Sequence, residues 1–254
     1  MKKLSKLSII GYGAGDAANN LAFTTATMFL LVYYTDVAGI SAAAAGTLLL
    51  VVRIFDAFAD VFAGRLVDRT YSKRFGKFRP FIMFGSIPLL LLSVATFSVP
   101  QLGESGTLLY AYVTYAALGL AYSLVNIPYG SLASAMTQRP EERGKLASFR
   151  MIGTAATGIL LAFIVAPQVK RYTGDPDAFQ HSLAVTMGIF AVVGFGLYMF
   201  LFATARETVQ RDVASVSMRQ SFDTLRHNRP LVMLCLASLA FLTALFSLQT
   251  VQVY

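Results

Sequence analysis

Arg53, Asp56 and Asp60 lie three and four residues apart within LLLVVRIFDAFADVF (48–62), a run that is otherwise apolar. At helical spacing the three side chains can touch. A charge at the centre of a membrane span costs about 2.5–3.5 kcal/mol, so three of them need a purpose. Two carboxylates and one arginine leave a nominal charge of −1, which suits one bound cation. A proton needs a single carboxylate able to hold it, and burial beside a like charge favours that. Sodium needs several oxygens in a defined shell. Ala57 and Ala59 supply none, and Ser123 on a later span can supply one. The residues therefore lean toward proton binding, with sodium at Asp56/Asp60 and a purely structural triad both left open.

Two other runs carry polar residues of a different kind. GDAANNLAF (15–23) holds Asp16, Asn19 and Asn20, and YSLVNIPYG (122–130) holds Asn126, Pro128 and Gly130. At about 100° per residue, Asp16, Asn19, Asn20, Phe23, Thr24 and Thr27 share one helix face. Tyr115, Gly119, Tyr122 and Asn126 form a second stripe, and Gly46, Arg53, Asp56, Asp60 and Gly64 a third. Asparagine amides both donate and accept, so they pair well with vicinal hydroxyls. Phe23, Tyr122 and Tyr129 offer flat apolar faces. Together these types suit a polyhydroxylated ligand in a shared aqueous cavity. Helix packing is the competing account, and it covers the glycines and some threonines better than the carboxylates. Arg150, after EERGKLASF, either marks the edge of the membrane or presents its fork to a ligand carboxylate.

The elements that must position these residues are membrane spans. The 254 residues are 56% hydrophobic and 13% charged, against about 25% charged in a soluble domain. Apolar runs at about 9–34, 42–66, 80–99, 107–135, 146–168, 183–204 and 230–254 approach or exceed the ~20 residues that cross a bilayer. The net charge of +8 is distributed by loop. Lys2, Lys3 and Lys6 precede span one, and Arg65, Arg69, Lys73, Arg74, Lys77 and Arg79 separate spans two and three. Arg139, Arg143 and Lys145 separate four and five. Arg206, Arg211, Arg219, Arg226 and Arg229 separate six and seven. The opposite loops hold only Lys170 and Arg171. This alternation predicts a cytoplasmic N-terminus and argues against a nucleic-acid partner. The N-terminus lacks the cleavage site of a signal peptide. A single cysteine, Cys235, excludes a disulfide framework and is expected to be buried. No nucleophile–base pair or metal cluster suggests an enzyme. Spans one and four are the polar members of two groups of three, the pattern in which a transporter's binding site is sought.

The segments GYGAGDAANNLAF, YYTDVAGISAAAAGTLLLVVRIFDAFADVFAGRLVDRT, RFGKFRPF and AYSLVNIPYGSLASAMTQ resemble the glycoside–pentoside–hexuronide:cation symporter family of the major facilitator superfamily. Within it, DAFADVFAG and NIPYGSLA are most similar to the bacterial glucuronide carriers. The resemblance covers essentially the whole chain. It implies an all-α membrane protein with the major facilitator fold of twelve helices. Of these the chain would hold an N-terminal six-helix bundle (1–204), a basic cytoplasmic loop (205–229) and helix seven (230–254), and would need a C-terminal bundle. It implies a cation-coupled glycoside importer of the bacterial inner membrane, without cofactor. By similarity, Asp56 and Asp60 form the cation site, and Asn20, Asn126 and Arg150 contact the sugar with Asn19 beside it. The residue types and spacing add Arg53 and Ser123 to the cation site and Asp16, Phe23 and Tyr122 to the sugar site. Gly64, Asp68 and Arg69 in GRLVDR belong to a cytoplasmic gate. Melibiose carriers of the family have aspartates at the positions of Asn20 and Asn126, so neutral amides here fit a substrate that carries its own carboxylate. Sodium-using relatives have asparagine in place of Ala59, which strengthens the lean toward protons. A pentoside, a neutral glycoside or a sulfonated sugar is the alternative substrate. A truncated, non-transporting membrane protein is the alternative class.

Overall fold

The computed structural model describes residues 3–172, 174–209, 224 and 227–251. Lys2, Arg211, Arg219, Arg226, most of the 205–229 loop and the last three residues of the predicted seventh span lie outside the described residues. Helices α1 (Lys6–Asp36), α2 (Ala42–Arg69), α3 (Arg79–Thr96), α4 (Gly103–Met136), α5 (Pro140–Ile164), α6 (Ala166–Arg171) and α7 (Pro176–Thr204) belong to one compact unit that ends at Arg211. Helix α8 (Arg229–Val251) belongs to a second unit, which starts at Asp212. Among the described residues there is no strand, only an isolated bridge between Ser72 and Gly76.

Each helix start follows from local chemistry. Ser5 and Ser41 accept the orphan N–H groups of Ser8 and Ala44 at α1 and α2. Prolines open α3, α5 and α7, where their missing N–H costs nothing. Five helices, α2, α3, α4, α5 with α6, and α7, are long and apolar enough to cross a membrane. Helix α1 is long enough but is not among them, because Asp16, Asn19, Asn20 and its threonines dilute its apolar character. Helix α4 runs unbroken through Pro128. Cys235 departs from the burial expected of it: among the described residues it is exposed on α8.

Packing in the first unit runs in the order α5–α1–α7–α3–α4–α2, so α2 and α5 sit at its two open ends. Small residues allow the closest crossing. A Cβ at Gly13 would meet the Phe149 carbonyl, and one at Gly153 would meet the Gly13 carbonyl, so α1 and α5 cross backbone to backbone. Tyr12 on α1 and Tyr129 on α4 stack at 4.6 Å, and the Tyr129 hydroxyl donates to the Tyr12 carbonyl at 2.7 Å. Large apolar side chains remain on the outer faces, such as Phe58 (71% exposed) and Phe163 (78%). A bilayer or further helices would cover them.

The basic loops gather at one end of this unit, held there by two acidic clamps. The Glu142 carboxylate accepts from the Leu4 N–H at 2.9 Å and the Thr137 hydroxyl at 2.8 Å, tying the N-terminus to the α4–α5 junction. The Glu207 carboxylate accepts from the backbone N–H groups of Lys77, Phe78 and Arg79 at 2.8, 2.8 and 3.1 Å. Thr208 N–H donates to the Ala135 carbonyl, which closes the ring of contacts. Replacing Glu207 with alanine orphans three partly buried donors. Glu207→Ala should lower stability by about 1–3 kcal/mol, read as a lower melting temperature in detergent.

Candidate functional site

The polar residues of α1 separate into two directions. Asp16 is 2% exposed and fully engaged. Arg150 Nε on α5 donates to its Oδ1 at 2.8 Å, Asn20 donates to its Oδ2 at 3.0 Å, and the Thr154 hydroxyl donates to the same Oδ2. The Thr24 hydroxyl donates to the Asn20 side-chain oxygen Oδ1 at 2.7 Å. A buried ion pair survives only when such donors complete it. Arg150 is 43% exposed, and Nε is the nitrogen it gives to Asp16. Its guanidinium lies over the Tyr129 ring at 5.5 Å.

Asn19 points elsewhere. It is 1% exposed and accepts from the Tyr198 hydroxyl of α7 at 2.6 Å, while its Nδ2 is buried without a partner. The shared face drawn for α1 therefore splits. Asn20 and Asp16 turn to α5, and Asn19 turns into the α1–α7 interface rather than to a position beside a ligand. Asn126 on α4 is half-buried, and its amide makes no hydrogen bond among the described residues.

Phe23 and Tyr122 come together, but not as two free ring faces. Their rings stack at 3.9 Å and 12°, so neither inner face can receive a ligand. The Arg53 guanidinium lies over Phe23 at 5.6 Å.

The carboxylate pair faces α4. Arg53 reaches Asp56 at 3.8 Å and forms no ion pair with Asp60, so the expected three-way contact reduces to one bridge. Asp60 instead accepts from the Ser123 hydroxyl at 2.5 Å, and Ser123 also donates toward the Gly119 carbonyl at 3.0 Å. Asp56 Oδ1 is buried with no hydrogen-bond partner. It rests where a Cβ of residue 119 would be, so Gly119 makes room for the carboxylate. Gly46 and Gly64, on the same arc of α2, have open space and no such role. We expect Gly119→Ala to displace the Asp56 carboxylate and lower the melting temperature in detergent, whereas Gly130→Ala, in open space, should leave it unchanged.

Asp68 pairs with Lys77 at 2.9 Å within the α2–α3 loop, whereas Gly64 and Arg69 make no side-chain contact with it. Sequence reasoning did not single out Thr154, Tyr12, Tyr198, Glu142 or Glu207. Thr154 follows Arg150 by one turn, which is a usable signal. The partners of the other four are remote in the chain.

A helical membrane unit with a carboxylate pair of α2 set against α4 and an arginine beside Asp16 and Asn20 between α1 and α5 has the character of a membrane carrier. The chain belongs to the family described as MFS/sugar transport protein, whose model matches residues 11–254. It is 48% identical over its whole length to the glucuronide carrier protein homolog of Escherichia coli (strain K12), covering 55% of that protein. It is 44% identical over 92% of its length to the symporter YnaJ of Bacillus subtilis (strain 168), covering 51% of it. It is 34% identical over 96% of its length to the isoprimeverose transporter of Lactiplantibacillus pentosus, again covering 51%. The chain thus spans about half the length of the curated relatives it matches.

Proposed function

We propose that the chain is the N-terminal half of a proton-coupled symporter that imports a glucuronide or related glycoside across a bacterial inner membrane. Residues 1–204 are its first bundle, 205–229 the loop between bundles, and 230–254 the start of the second. The basic end lies in the cytoplasm. The observation that carries the reading is the buried, unpartnered Asp56 oxygen beside the Asp60–Ser123 pair, a place for one cation and little else. Arg150 supports the anionic substrate, because Asp16 engages it through Nε and the guanidinium is 43% exposed. Asn20 and Asn126 take sugar hydroxyls. Asp56, Arg53, Phe23 and Tyr122 follow one another in contact, which links the cation side to the sugar side.

The loaded carrier rocks between outward- and inward-open forms, with Asp68 and its loop on the cytoplasmic gate. Sodium is the alternative cation. A neutral or pentose-containing glycoside is the alternative substrate, favoured by the neutralisation of Arg150 by Asp16 and by the likeness to an isoprimeverose transporter. The test is the affinity of the intact carrier for glucuronide across pH by calorimetry. Cooperative proton binding predicts weaker sugar binding as pH rises. A pH-independent affinity contradicts it.

A further inference from the structure

The charged end of the first unit contains a cavity that the transport reading does not use. It has a volume of about 350 Å³, lies between the α2–α3 loop and the end of α7, and is lined by Tyr71, Lys73, Arg74, Arg79, Arg206 and Glu207 among others. Glu207 is the acid lining it, and both its oxygens are committed to the backbone N–H groups of residues 77–79. Arg79 is fixed in the wall. It donates to the Phe202 carbonyl at 2.6 Å and lies over the Phe202 ring at 4.2 Å, while its Nε is buried without an acceptor. Lys73, Arg74 and Arg206 are exposed and form no ion pair among the described residues. Among the described residues, four cations thus line a cavity whose acid, Glu207, is already engaged.

The lining residue Arg79 is also the first residue of α3, a helix with an apolar outer stripe. From Pro80, at the start of α3, the exposed residues Phe84, Ile87 and Leu91 run down one stripe of the helix away from the charged end. A ligand with an anionic phosphate at one end and hydrocarbon at the other matches both features. Inorganic phosphate matches only the first.

We propose that this cavity binds the headgroup of an anionic phospholipid, with its phosphate among Lys73, Arg74, Arg79 and Arg206 and its acyl chains along α3. Basic pockets between helices at a membrane surface recognise such headgroups, and the volume is sufficient for one. The site is independent of the sugar and cation sites.

Native mass spectrometry of the purified chain, titrated with phosphatidylglycerol and with phosphatidylcholine, tests it. We expect phosphatidylglycerol to bind about tenfold more tightly. The variant carrying Lys73→Gln, Arg74→Gln and Arg206→Gln should lose that preference while still binding phosphatidylcholine, which shows that it is folded. The variant carrying Lys170→Gln and Arg171→Gln should keep the preference. Equal binding of the two lipids, or a preference that survives the triple substitution, overturns the proposal. So does displacement of phosphatidylglycerol by millimolar inorganic phosphate, which would assign the cavity to the free ion.

Discussion

Asp56→Asn in the intact carrier should abolish accumulation of glucuronide against its gradient while exchange of sugar across the membrane continues. Asparagine keeps the size of the side chain but cannot take up and release a proton. The carboxylate oxygen replaced here is the buried one without a hydrogen bond, beside Gly119. Its neighbour Asp60 already has the Ser123 hydroxyl as donor. Loss of the titrating group leaves a site that is permanently neutral at that position. Sugar can then cross with no cation, and the inside-to-outside ratio falls to about one. Substrate exchange needs only the sugar site and the rocking motion, so it remains. Radiolabelled uptake and counterflow in vesicles separate the two. Accumulation equal to that of the unmodified carrier would remove Asp56 from coupling.

Arg150→Gln should weaken transport of a carboxylated sugar by about 100-fold, since losing a charge-assisted pair costs about 3 kcal/mol. A neutral glycoside should be far less affected, because amide and guanidinium both donate to hydroxyls. The substitution also removes the Nε partner of Asp16. Asn20 and Thr154 still donate to that carboxylate, so α1 and α5 remain tied. The readout is therefore the ratio of charged to neutral substrate rather than either rate alone. A ratio that does not move would favour the neutral or pentose-containing substrate.

The membrane helices and their order were legible in apolar runs and loop charge, because bilayer length and positive-loop bias act on composition. The contact between Asp56 and Arg53 follows from spacing within one helix. Contacts between helices were partly legible. Ser123 was singled out as an oxygen donor from its type, and it does reach Asp60. The failures share a cause. A helical wheel shows that Asn19 and Asn20 are neighbours but not which helix lies opposite each, and Tyr198 draws Asn19 aside. The wheel also cannot show that Phe23 and Tyr122 spend their faces on each other. Glu142 and Glu207 are isolated acids in basic surroundings. Their role as clamps depends on backbone N–H groups from distant segments, which side-chain patterns do not record.

The central claim is that sugar and proton enter together. The most direct measurement is the external pH of a lightly buffered suspension of vesicles containing the intact carrier, when glucuronide is added without sodium. The account predicts external alkalinisation that tracks sugar uptake and disappears in Asp56→Asn. Sugar entry with no movement of protons, in the same vesicles, would contradict it.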